Sequence, residues 1–205
     1  MFKEFVNLGK NSIIYGIPDI VAKSVGFFMI PIYTRLLTPE DYGVMAMLML
    51  FTTFVGILLP LGIRYAFTRY YFEGKNEEDK KTVYSSALLF LALSALIFVT
   101  LCLIFSKQIS YLLFNSVNYS FYVNLMIFTL FFQSLMILPM QLFIAKGKAA
   151  IYASVSIASF LIHISLNVYL IAILKLGVLG FIYGSLISAA IIASCSGSML
   201  PSTMS

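Results

Sequence analysis

Long apolar stretches, each able to cross a lipid bilayer and separated only by short polar breaks, constrain this chain more than anything else in it. A hydrocarbon core about 30 Å thick takes about 20 apolar residues in a helix. We read six such stretches, at 11–33, 43–63, 84–105, 121–143, 152–174 and 176–194. Barrel strands are about 10 residues long and alternate apolar with polar side chains, and these runs do neither. Within lipid only helices and closed barrels satisfy the backbone. The expected fold is therefore an all-α integral membrane protein, a bundle of six transmembrane helices. Composition agrees. Hydrophobic residues make up 61% of the chain and charged residues 10%, against roughly 25% charged in a soluble domain. A folded chain with so little polar surface cannot cover itself in water.

The breaks are readable. Thr38-Pro39-Glu40-Asp41-Tyr42-Gly43 has the form of a helix start. Thr38 can cap, Pro39 suits the first helical position, and the two acids suit the first turn. Glu73 to Lys81 is the one markedly hydrophilic loop, and its charges read as a solvated face. Asn115 to Ser120 and Ala145 to Lys148 are short polar turns, and Lys175 with Gly177 divides the fifth span from the sixth.

Basic residues set the orientation. Lys3, Lys10, Arg64, Arg69, Lys75, Lys80, Lys81, Lys146 and Lys148 fall on one side, and only Arg35, Lys107 and Lys175 on the other. Both termini are expected in the cytoplasm. The net charge of +5 thus reads as membrane orientation. A nucleic-acid partner is not expected, since it would need a basic patch on a soluble face. No cleavable signal peptide is expected, because the first apolar run is too long and lacks a small-residue cleavage site. Met1–Lys10 and Arg64–Lys75 mix aromatic with basic residues, as segments at the headgroup level do.

Chemistry-bearing residues are few. Neither a nucleotide-binding glycine pattern nor metal-spaced His and Cys occurs, so no enzyme activity, cofactor or metal is expected. Asp19 and Lys23 stand in the first span at i, i+4, near Pro18 and between Gly16 and Gly26. Ionisable groups there usually face a bundle interior or a wet cavity. The pair can form a polar site, or it can simply neutralise itself. His163 with Asn167, and Gln133 with Gln141, read as interhelical hydrogen bonding in preference to a proton relay. Gly180-Phe181-Ile182-Tyr183-Gly184 is a close-packing pattern. Cys102 and Cys195 are expected at opposite membrane faces, beyond disulfide reach.

Ile30-Pro31-Ile32-Tyr33-Thr34-Arg35-Leu36-Leu37-Thr38-Pro39-Glu40-Asp41-Tyr42-Gly43 resembles the first-loop signature of the polysaccharide exporters, the O-antigen and capsule-unit flippases of the MOP superfamily. Gly62 to Glu73, Leu166 to Leu170 and Leu176 to Gly180 resemble later helices of that family. The resemblance covers about residues 1–194. It implies one six-helix lobe of a two-lobed transporter in the bacterial inner membrane, working by alternating access. Its cargo would be an undecaprenyl-pyrophosphate-linked oligosaccharide, its surroundings membrane lipid, and its partner a second lobe or a second copy. Lys23, Arg35 and Arg64 are the cations that could hold the pyrophosphate, with Asp19 as a compensating or coupling acid. Residues 195–205 read as an atypical small, polar tail of the kind a truncation or frameshift leaves. Two other readings stay open. One is a drug or cation antiporter of the same superfamily, using Asp19. The other is a non-transporting membrane protein, either an assembly partner or a defective remnant.

The topology is testable directly. Reporter fusions after Lys81 and Lys148 are expected to read cytoplasmic, and fusions near Asn115 external; the reverse pattern would overturn the orientation.

Overall fold

The computed structural model describes residues 33–195 in full, the backbone of 196–204, and isolated positions between 16 and 31. The chain is all-helical over that range. Helix α1 (Pro39–Leu58) starts as the sequence dictates. Thr38 is extended, and its Oγ1 accepts the Asp41 N–H at 3.1 Å. Pro60 cannot donate to the carbonyl four residues back, and α1 ends just before it. Leu61 and Gly62 then adopt left-handed φ of 45° and 75°, and α2 (Ile63–Glu73) begins. The loop into α3 (Glu77–Ile104) is closed by Asp79, whose carboxylate accepts the N–H groups of Lys75 and Asn76 at 3.3 Å.

After α3 comes α4 (Ser106–Phe114), ended by Asn115 at φ 50°. It is tied down by Ser110, fully buried, which donates to the Ser116 carbonyl at 2.7 Å. Next is α5 (Ser120–Leu135), which breaks at Met136 before α6 (Ile137–Ala145). Pro139 explains that break, because it leaves the Leu135 carbonyl without its helical donor. Helix α7 (Ala149–Val168) runs into a π-helical turn at Tyr169–Ile173, and α8 (Val178–Met204) closes the chain. Cys195 and the residues after it continue this last helix.

Five helices among the described residues are long and apolar enough to cross a membrane: Pro39–Glu73, Glu77–Ile104, Ser120–Ala145, Ala149–Ile173 and Val178–Cys195. They match the second to sixth predicted spans. The first, at 11–33, falls mostly outside the described residues. Two apolar cores hold the bundle. One joins α1, the second half of α3, α5 and α8 around Leu48, Val123, Ile127 and Ile182, which are essentially inaccessible. The other joins α2, the first half of α3 and α6 around Phe67, Leu91, Leu138 and Leu142. Phe67 meets Tyr84 edge to face at 6.0 Å. The aromatic-basic segment at 64–75 is thus a helix with Phe67 and Tyr71 turned inward and Tyr65, Tyr70 and Phe72 exposed.

The two ends differ in charge. At one end Lys80, Lys81 and Lys146 gather beside Tyr71 and Glu77. The ion pairs there, Lys80–Glu77 at 2.8 Å and Arg69–Glu73 at 2.9 Å, are largely solvated and add little stability. At the other end Tyr119 donates to Glu40 at 3.3 Å, and Asp41 lies against Gly177. Burial, and then that bond to Glu40, raise the Tyr119 phenol above its ordinary value.

Without a hydrophobic force between helices in lipid, close packing carries the association. Gly180 and Gly184 pack onto the end of α7. A Cβ at Gly180 would stand 3.0 Å from the Leu170 carbonyl carbon and oxygen, and one at Gly184 3.0 Å from the Asn167 amide. Backbone cannot yield as a side chain can. Gly180→Ala is therefore expected to lower stability by about 1–3 kcal/mol. Gly43, in the first turn of α1, has open space around it, and Gly43→Ala is expected to be neutral or slightly stabilising. Thermal unfolding of the detergent-solubilised variants tests both, and equal melting of the two would refute the packing assignment.

Candidate functional site

Where α2, α5, α6, α7 and α8 converge, three adjoining cavities of about 390, 230 and 120 Å³ form a groove. Gln133 lines all three. The largest lies between α5, α7 and α8 and is bordered by Ser156, Ser159, His163 and Ser188. The other two are bordered by Arg64, with Gln141 and Tyr152 in one and Ser134 in the other. Gln133 and His163 stand about midway along their spans, whereas Arg64, Gln141 and Tyr152 lie toward the basic end. The groove therefore runs from the middle of the membrane to that end.

The helix breaks position its side chains. The turn at Pro60–Gly62 starts α2 beside the groove, so Arg64 enters in its first turn. The α2 N-terminus has no side-chain cap, and its dipole adds positive character there. The offset at Met136 turns α5 into α6 along the groove wall. On α7, Tyr152, Ser156, Ser159 and His163 follow at i, i+4, i+7 and i+11, which is one helical face.

Polar groups in hydrocarbon need partners, and most are found. Gln141 Nε2 donates to Thr68 Oγ1 at 2.8 Å, and Thr68 donates on to the Arg64 carbonyl at 2.9 Å. His163 Nδ1 lies 3.0 Å from Ser188 Oγ, joining α7 to α8. The interhelical role expected of Gln141 and His163 is what the structure contains. Asn167 instead donates to its own helix, at the His163 carbonyl, 2.7 Å. It is fully buried with its Oδ1 unpaired. Gln133 departs from expectation: it makes no side-chain hydrogen bond to any described residue and borders all three cavities of the groove.

Of the residues predicted to bind, Arg64 lines the groove and Arg35 does not. Arg35 is exposed just before α1, and the length of α1, about 30 Å, separates the two. Lys23 and Asp19 lie outside the described residues. Sequence reasoning passed over Gln133 as a lining group, and it passed over Tyr152, Ser156, Ser159 and Ser188 altogether. The helical spacing of the α7 residues was the signal that could have found them. Cys102 and Cys195 form no disulfide among the described residues.

The architecture is a helical bundle with five helices long and apolar enough to cross a membrane among the described residues. It superposes on a solved multidrug-resistance MATE family transporter of the MOP superfamily, in its outward-facing conformation, with a TM-score of 0.75 at 18% identity. The match covers 99% of this chain and 47% of that one, so the chain spans about half the length of the transporter it resembles. Its sequence matches the polysaccharide biosynthesis protein family over residues 32–205, and the chain belongs to that family. No curated protein matches it significantly.

The Gln141–Thr68 link can be measured by a double-mutant cycle. Gln141→Leu and Thr68→Val are expected to couple by about 0.6 kcal/mol, the usual size of such bonds between membrane helices. Strict additivity in unfolding experiments would remove the link.

Proposed function

We propose that this lobe carries a lipid-linked oligosaccharide, of the undecaprenyl-pyrophosphate type, across the bacterial inner membrane for polysaccharide biosynthesis. The observation that supports this most is Arg64 in the groove wall, beside an uncapped helix N-terminus and below a polar stripe on α7. A pyrophosphate needs donors and positive charge. The guanidinium supplies both toward the basic end, which positive-inside asymmetry would put in the cytoplasm, and the α2 dipole adds to the positive charge. The sugar head is polar and cannot cross hydrocarbon unaided, and the groove gives it a path lined by Gln133 and hydroxyls. The polyprenyl tail stays in lipid. A second lobe, from another chain or a second copy, would enclose the cargo and alternate the access. Arg35, near the opposite end, is the candidate cation for the outward state.

The same fold in a multidrug transporter keeps a cation antiporter in view. The described groove lining argues against it: Arg64 is present and no Asp or Glu is. That sign suits an anion and repels a cationic drug.

The test is export. In cells that depend on this protein for surface polysaccharide, Arg64→Gln is expected to cut export at least tenfold at normal protein level. One charge-assisted hydrogen bond is worth about 1.5–3 kcal/mol, which is tenfold or more in affinity. Arg64→Lys is expected to keep part of the activity, since it keeps the charge and loses the planar fork. Normal export by Arg64→Gln would remove Arg64 from the site. Lost resistance to a cationic drug with polysaccharide unchanged would favour the antiporter.

A further inference from the structure

The largest chamber of the groove carries polar groups that the anionic end of such a cargo does not use. Gln133, Ser156, Ser159, His163 and Ser188 line it, with Phe160 beside them, and no Asp, Glu, Lys or Arg does among the described residues. What these groups offer follows from where their protons already go. Ser159 donates to the Val155 carbonyl at 2.6 Å, so its Oγ has only lone pairs left. Ser188 donates to the Ser185 carbonyl at 3.0 Å, so it accepts at its 3.0 Å contact with His163 Nδ1. Nδ1 therefore carries the ring proton, and Nε2 a lone pair. Asn167 Nδ2 stands 3.5 Å from Nδ1 and 3.4 Å from Nε2, too evenly placed to engage either, and it donates instead to the His163 carbonyl at 2.7 Å, which leaves the Nε2 lone pair open.

The chamber thus offers acceptors at Ser159 and His163, while the Ser156 hydroxyl and the Gln133 amide, neither bonded to a described side chain, can donate and accept. Acceptors inside a membrane are better satisfied by a ligand bearing O–H donors than left bare. A charged head would meet no counter-ion among the described residues. Phe160 offers an apolar surface for the C–H face of a sugar ring. At about 390 Å³ the chamber has the size of a small-ligand site.

We infer that this chamber seats the hydroxyl groups of an uncharged saccharide, with Ser159 Oγ and His163 Nε2 as acceptors. The inference rests on reading the groove as the cargo path, and it adds the class of head group: a neutral sugar, not a sugar acid.

His163 is the only histidine in the chain, so labelling with ¹⁵N-histidine gives a single imidazole to observe. The full chain, in nanodiscs at pH 8, is titrated with octyl maltoside below its micelle concentration. Octyl phosphocholine, with the same tail and a charged head, is the comparison. The free protein is expected to show the Nδ1–H tautomer. Its Nε2 resonance is expected to move saturably with the maltoside and to stay put with the phosphocholine. Ser159→Ala is expected to weaken the maltoside midpoint about three- to tenfold, the worth of one hydrogen bond. Ser188→Ala is expected to release the tautomer; should that variant not fold, the wild-type spectrum already reports the lock. An Nε2–H tautomer in the free wild-type protein, no response to maltoside, or equal responses to both amphiphiles would each overturn the inference. Export by Arg64 variants bears on the pyrophosphate reading and this spectrum on the neutral head, so the two fail separately.

Discussion

Hydrocarbon offers the backbone no hydrogen-bond partner, and every irregularity of this chain within the membrane has to supply its own. The chain breaks its spans at few points, and each has an internal substitute. At Pro60–Gly62 the Ile63 N–H turns back to the Pro60 carbonyl at 2.8 Å. At Met136 the N–H reaches Gln133 O at 3.2 Å. In the π turn Leu174 reaches Tyr169 O, also at 3.2 Å. These breaks also shape the site. The first starts α2 at Arg64, the second lies in the groove wall with Gln133, and the third brings the Leu170 carbonyl onto Gly180.

The same rule governs the side chains. Most hydroxyls return their proton to their own helix, as Thr52, Thr53, Thr100, Thr129 and Ser185 do. Such back-bonding satisfies the donor without joining helices. Few polar groups reach across, and they do so at different depths: Tyr119 to Glu40 at one end, His163 to Ser188 in the middle, Gln141 to Thr68 toward the other. Binding chemistry is left to what remains after this internal satisfaction. That is why the groove offers Arg64, Gln133 and spare lone pairs.

Much of the fold was legible because its signals are local. Apolar run length located five spans, the last three to within about three residues, while the helices at Pro39–Glu73 and Glu77–Ile104 extend well beyond the apolar runs 43–63 and 84–105 into polar sequence. Thr38, Pro39 and two acids announced the start of α1, and Gly180 with Gly184 announced a close contact. The site was less legible, because its geometry comes from non-local causes. Gln133 and Gln141 look alike in sequence, yet both border the groove and Gln141 alone of the two finds a side-chain partner, Thr68. Nothing local marks Tyr169–Ile173 as a π turn, since the extra residue accommodates a contact with Gly180 made by a later helix. Arg64 was found as a charge near a span. Its place beside Gln133 needed α5 packed against α1, and α6 against α2.

These contacts also limit how the lobe can move. The Gln141–Thr68–Arg64 carbonyl chain fixes the first turn of α2 to α6, and the glycine contact fixes α8 to the end of α7. Shearing α6 past α2 would leave an amide unpaired in hydrocarbon, which is unfavourable by about 1–3 kcal/mol for each buried group. Shearing α8 past α7 would drive other residues into the Leu170 backbone. Motions that keep every bond move the lobe as one body. The exception is the first half of α7, where Ala149 is the sole buried residue and the stripe from Tyr152 to Ser159 faces the groove. An adjustment of that segment changes the groove, and its Ser159 hydroxyl donates within its own helix. Rigid-body motion of the bundle and a local adjustment of α7 are therefore separable, and under the proposed function the second acts on the side chains that would read the sugar.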